Sequence, residues 1–131
     1  MAEEASIMML IDTNVFIDHL RGHSPATKFL EALVGRNDVL FSAITETELL
    51  AGKVNADTKK REMTLQLLHQ WTKVSLGNPV AAFAGDIKRE FGLDTPDAII
   101  AATARSVGAE LLTKNWKDFQ KVKELKVRSP Y

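Results

Sequence analysis

The 131-residue chain has no cysteine, which excludes disulfides and thiolate metal sites. It has no net charge either. Seventeen basic and 17 acidic residues balance, so the strongly basic footprint of a general nucleic-acid binder is missing. The apolar stretches are short and interrupted, which excludes a transmembrane helix. The acidic start, Met1-Ala-Glu-Glu-Ala-Ser, lacks a secretory hydrophobic segment, and the expected compartment is the cytoplasm. Neither G-x-x-x-x-G-K-S/T nor G-x-G-x-x-G occurs, so the familiar nucleotide loops are absent. No Ser-His-Asp set, internal repeat or low-complexity tract is visible.

What the chain does have is enough apolar content, 45%, to bury one core, and the expectation is a single domain over 1–131. Short apolar runs at about 8–11, 39–43, 73–76, 110–113 and 126–128 read as strands. Between them lie helical stripes. One runs through Ala26, Phe29, Leu30, Leu33 and Val34, another through Val80, Phe83, Ala84, Ile87 and Phe91, and a third helix is expected from about Asp57 to Thr72. The segment Ala98–Ala104 is apolar nearly all round and belongs inside. Ser24-Pro25, Asn78-Pro79 and Thr95-Pro96 each place a favoured N-cap residue before a proline, and Gly35, Gly92 and Gly108 close the same three segments. Strands alternating with helices predict an α/β fold with a central parallel sheet of four to five strands covered on both faces.

In such sheets ligands bind beyond the carboxyl ends of the strands. Asp12, Glu48 and Asp118 all fall on that edge, and Asp97 opens the apolar helix. Clustered acids repel one another unless they hold a cation, and an all-oxygen set suits Mg²⁺ or Mn²⁺. Each acid also has a structural explanation. Asp12 is a good N-cap. Thr45-Glu-Thr-Glu48 has the spacing of a capping box, and Asp97 would be favoured by a helix dipole. Asp118 would be a capping or surface acid, and Asn115 competes with it for the fourth place. Asn14 would fix a neighbouring carboxylate, Asp94 is a substitute for Asp97 in another register, and Asp18 is expected at the surface. His19 and His23 have a ligand spacing but no third nitrogen or sulfur partner, so zinc is not expected. His69 reads as a packing or surface residue. From Lys114 to Arg128 six basic residues face two acidic ones, which makes either a solvated face or a basic rim beside the acids.

Four segments together resemble the PIN-domain ribonucleases, and in length and wording the VapC-type toxins of type II toxin–antitoxin pairs. They are Ile11-Asp-Thr-Asn-Val-Phe-Ile-Asp18, Ser42-Ala-Ile-Thr-Glu-Thr-Glu-Leu-Leu-Ala-Gly52, Asp97-Ala-Ile-Ile-Ala-Ala-Thr-Ala104 and Leu112-Thr-Lys-Asn-Trp-Lys-Asp-Phe119. The resemblance implies a PIN-like three-layer α/β/α domain and acidic site residues at Asp12, Glu48 and Asp97. Asp118 is the only carboxylate in the last motif, and Thr113 and Asn115 support it. It also implies Mg²⁺- or Mn²⁺-dependent RNA hydrolysis by an activated water, an antitoxin protein as partner and a homodimer. Lys114 and Lys117 flank the last motif and are the candidates for RNA phosphate contact. Residues 1–6 would be an extension, with Met8 or Met9 as alternative starts. Met63, Leu67 and Trp71 would be core or an interface groove. Two other readings stand beside this one. In a non-catalytic PIN-like interaction module the acids would be caps. A haloacid-dehalogenase-like phosphatase needs an acid where this chain has Asn14.

Overall fold

The computed structural model describes residues 7–131; the expected extension at 1–6 lies outside them. Five parallel strands form one sheet in the order β3-β2-β1-β4-β5. They are β1 (Met9–Ile11), β2 (Val39–Ser42), β3 (Thr72–Val74), β4 (Glu110–Leu112) and β5 (Val127–Arg128). The helices are α1 (Thr13–Leu20), α2 (Ser24–Ala32), α3 (Ala43–Leu50), α4 (Thr58–Leu68), α5 (Asn78–Phe91), α6 (Thr95–Val107) and α7 (Trp116–Phe119), with a 3-10 turn at Lys53–Ala56. Among the described residues no helix is long and apolar enough to cross a membrane.

The central strands β1, β2 and β4 are mostly apolar because both faces of the sheet are covered there, whereas the edge strands β3 and β5 are more exposed. Side chains alternate across a strand, and the packing follows that alternation. Leu10, Leu40 and Leu111 point to the face packed with Ile87, Ile100 and Phe119. Met9, Ile11, Val39, Phe41 and Leu112 point to the other, with Val15, Phe16, Leu30 and Trp71. On that second face the Phe16 ring sits 6.3 Å from Phe41, edge-on, and 5.9 Å from Trp71. The Trp71 indole N–H donates to the Leu33 carbonyl at 3.0 Å, which satisfies its polar end inside the core. Helix α6 is buried over Ala98–Ala104, as its all-round apolar sequence requires.

The helix starts differ from the sequence expectation. Ser24, Asn78 and Thr95 are the first residues of α2, α5 and α6, not their caps. The cap positions fall to His23, Gly77 and Asp94, none with a side-chain cap hydrogen bond. Proline is accepted at either of the first two helical positions, where the backbone N–H has no helical partner in any case. The Xaa-Pro pair therefore locates the start only to within one residue. Helix α4 is shorter than the expected 57–72: it begins after the Asp57 cap and ends at Leu68, because residues 72–74 pair with β2. Two of the three closing glycines hold, while α2 is capped by Leu33, two residues before Gly35. Gly92 and Gly108 take φ of 70° and 68° and end α5 and α6.

Candidate active site

The sheet order reverses at β1, which pairs with β2 on one side and β4 on the other. A crevice at the carboxyl end of such a pair is where open α/β sheets bind ligands. Asp12 is the residue that leaves β1. Its N–H donates to the Leu112 carbonyl at 3.0 Å, so the ladder to β4 extends to the site. One carboxylate oxygen accepts the Thr13 N–H at 2.7 Å and caps α1, while the other accepts the Thr113 hydroxyl at 2.7 Å. The cap reading of Asp12 holds, and it leaves the second oxygen to the Thr113 contact at the end of the sheet. The side chain is buried. Burial is the largest cause that pushes its pKa up to about 6, and repulsion from Asp97 and Glu48 adds to it. The Thr113 hydroxyl and the Thr13 N–H pull the other way.

Glu48 is not part of a capping box. Helix α3 starts at Ala43, and Ser42 is its cap, accepting the Ile44 N–H at 3.2 Å. That puts Thr45 in the first turn and Glu48 one turn on, along the same side of the helix. Thr45 is fully buried, and its hydroxyl lies 2.9 Å from that of Thr13. Thr13 in turn donates to Glu48 Oε1 at 2.7 Å. The Thr13 and Thr45 hydroxyls are site features that the sequence reading assigned to capping or left out. A threonine spaced three residues before a glutamate on one helix was the available signal.

Asp97 lies in the first turn of α6, where the helix dipole favours negative charge. Its pKa is nevertheless raised, by burial first and then by repulsion from Asp94, Glu48 and Asp118. Asp118, in α7, is exposed and takes part only through that repulsion. Asn115 contributes its backbone N–H, which donates to the Thr113 hydroxyl at 2.9 Å. Since the single Thr113 proton goes to Asp12, Thr113 Oγ1 must accept from Asn14 Nδ2, at 3.4 Å. This orients the Asn14 amide and leaves its buried Oδ1 without a partner.

The remaining candidates have other partners. Lys114 donates to the Tyr131 main-chain oxygen at 2.8 Å and lies over the Tyr131 ring at 4.8 Å; Lys117 lies 5.6 Å from the Trp116 ring centroid and is exposed. His19 Nδ1 pairs with the Thr27 hydroxyl at 2.8 Å and the His23 ring packs against Tyr131, so neither points to a metal. Asp18 accepts the Tyr131 hydroxyl at 2.6 Å. Trp71 is core, whereas Met63 is exposed. It helps line a cavity of about 670 Å³ between α1, α3, the 3-10 turn and α4, together with Leu20, Val54, Arg21, Lys60 and Glu48.

All the oxygens at this edge are hard donors, and repulsion from Asp97 and Glu48 adds to the burial that raises the Asp12 pKa. Among the described residues no three acidic or histidine side chains are arranged to enclose an ion by themselves. Mg²⁺ does not ask for that. It commonly binds one or two carboxylates and keeps waters or substrate oxygens for the rest. The partnerless Asn14 Oδ1 beside Thr113 is a further hard oxygen. The residues fit a hydrated divalent ion and do not fit a closed protein cage.

Comparison with known proteins agrees with this fold. A PIN domain family model matches residues 9–125. Ribonuclease VapC19 of Mycobacterium tuberculosis is 34% identical over 130 residues, covering 95% of this chain and 100% of the relative. A toxin-antitoxin complex from Klebsiella pneumoniae superposes with a TM-score of 0.77 at 32% identity, covering 94% of this chain and 98% of the other. DNA-bound VapBC from Salmonella typhimurium gives 0.81 at 19% identity, covering 96% and 100%, which speaks for the fold alone.

Proposed function

Because the chain belongs to the PIN-domain family, and within it to the VapC-like proteins, we propose that it is a divalent-metal-dependent endoribonuclease acting in the cytoplasm as the toxin of a toxin–antitoxin pair. The observation that carries the reading is Asp12. It is a buried carboxylate at the switch point of the sheet, held by two donors and raised to about 6 by burial and by its acidic neighbours.

A divalent ion held among Asp12, Glu48, Asp97 and Asp118 would neutralise their repulsion and that of a phosphodiester, and would make a nearby water more acidic. The chain's own residues do the rest. Thr113 and the Thr13 N–H fix the two oxygens of Asp12, and the Thr13 hydroxyl fixes one oxygen of Glu48. Asp97 brings a partly buried charge from the tip of α6. Lys114 and Lys117, on the segment that leaves β4, meet RNA phosphates and offset the acids. For Lys114 this requires exchanging the Tyr131 oxygen for a phosphate.

An antitoxin is the expected protein partner, and a second copy of the chain completes a homodimer. The cavity beside Glu48 suits an antitoxin segment with apolar residues for Leu20, Val54 and Met63 and acidic ones for Arg21 and Lys60.

RNA ends mapped after brief expression of the wild type beside Asp97→Asn test the reading and find the substrate. New ends that appear only with the wild type, and purified activity that needs Mg²⁺ or Mn²⁺ and stops with EDTA, are expected. Asp12→Asn is expected to lower cleavage at least 100-fold. Cleavage that survives EDTA or Asp12→Asn would sink the mechanism. Absence of any wild-type cleavage would favour the interaction-module reading.

A further inference from the structure

We propose that Thr45 is a positioning residue that acts through Thr13 to hold the Glu48 carboxylate in its working orientation. The inference rests on the ribonuclease reading for what that orientation is used for, but the hydroxyl chain itself does not.

Proton counting fixes the direction of the chain. An ionised carboxylate only accepts, so the single hydroxyl proton of Thr13 goes to Glu48 Oε1 at 2.7 Å. The contact between Thr13 Oγ1 and Thr45 Oγ1 at 2.9 Å then has one possible donor, Thr45. Both hydroxyls point their hydrogens the same way, toward Glu48. Thr45 is 0% exposed and Thr13 is 5% exposed, so the contact between them is buried, while the contact to Glu48 is part-buried. Each threonine is β-branched and stiff at its first torsion, whereas glutamate is long and flexible. A rigid pair therefore restrains a mobile carboxylate. The pair also joins two elements: Thr13 begins α1 at the end of β1, and Thr45 lies in the first turn of α3 at the end of β2. Among the described residues Glu48 Oε2 takes no hydrogen bond, so the chain restrains the carboxylate through Oε1 alone. This is a more demanding role than a capping box, which any Thr-x-x-Glu helix start fills.

The test compares Thr45→Val, which keeps shape and removes the donor, with Thr45→Ser, which keeps the donor. The Glu48 side-chain carboxylate ¹³C resonance is expected to shift and broaden in Thr45→Val and to return in Thr45→Ser. RNA cleavage by Thr45→Val is expected to show kcat lower by about tenfold with KM within twofold, again restored by serine. Thr13→Val, one link nearer, gives the same pattern with a larger loss and serves if Thr45→Val does not fold. A folded Thr45→Val protein with wild-type kcat and an unmoved Glu48 resonance would overturn the proposal, as would failure of serine to restore either. If the resonance moves but the wild type cleaves no RNA, the hydroxyl chain stands and the ribonuclease reading fails.

Discussion

Asp12 combines two demands that usually fall on separate residues, helix capping and charge at a binding crevice, and its titration follows from that. Its pKa of about 6 in the folded chain lies above the ordinary aspartate value of 3.8 that the unfolded chain keeps. Between those values the folded protein binds a proton that the unfolded one has lost, so stability falls as pH rises through that window. With no cation bound, the charged form at neutral pH lowers stability by about 3 kcal/mol. Asp12→Asn should therefore melt higher than the wild type at pH 7 in EDTA and lose that advantage near pH 4. Added Mg²⁺ should raise the melting temperature of the wild type and not of the variant. Denaturation of both proteins at the two pH values, with and without Mg²⁺, checks this; an Asn variant that is less stable at pH 7 would contradict it. At this scale the acids were legible in the sequence and their hydroxyl partners were not. Asp12 and Glu48 announce themselves by charge after apolar runs, and Asp97 by charge at the head of one. Thr13 and Thr45 are polar groups whose importance comes from being buried and 2.9 Å apart across 32 residues of chain, which only the fold creates.

The central strands were legible because burial on both faces leaves an apolar record, and each strand fell within two residues of its expected bounds. Helix starts were less so. Whether Ser42 or Thr45 caps α3 depends on which residue takes the extended backbone conformation, and both types serve well as caps. That ambiguity made Glu48 look structural. Helix ends are clearer, because a left-handed residue has few substitutes for glycine. Gly108 stands between α6, which carries Asp97, and β4, which leads to Thr113, with φ of 68°. An added Cβ there would meet nothing within 4 Å, so Gly108→Ala isolates the backbone term. It should destabilise by about 1–2 kcal/mol in chemical denaturation while leaving cleavage below the transition unchanged. No loss of stability would mean that the turn relaxes to another conformation.

Across the whole molecule, site and cavity share Glu48, so a partner seated in the cavity would lie against the acids. Met63 is 64% exposed and contributes little to the core. Met63→Asp should therefore fold normally and cleave RNA at the wild-type rate. It should bind the antitoxin at least tenfold more weakly, by titration of the purified pair. Unchanged affinity would move the partner elsewhere. The parallel order of the sheet has a different consequence. The hydrogen bond that sets Asp12 comes from Thr113, 101 residues later, and β1 lacks its β4 neighbour until residues 110–112 exist. Loop closure on that scale comes late, after the local helices. A chain still emerging from the ribosome therefore carries three of its four acids with no site to put them in. The crevice is complete only once residues 110–113 have been added, so under the ribonuclease reading a shorter nascent chain holds acids without activity.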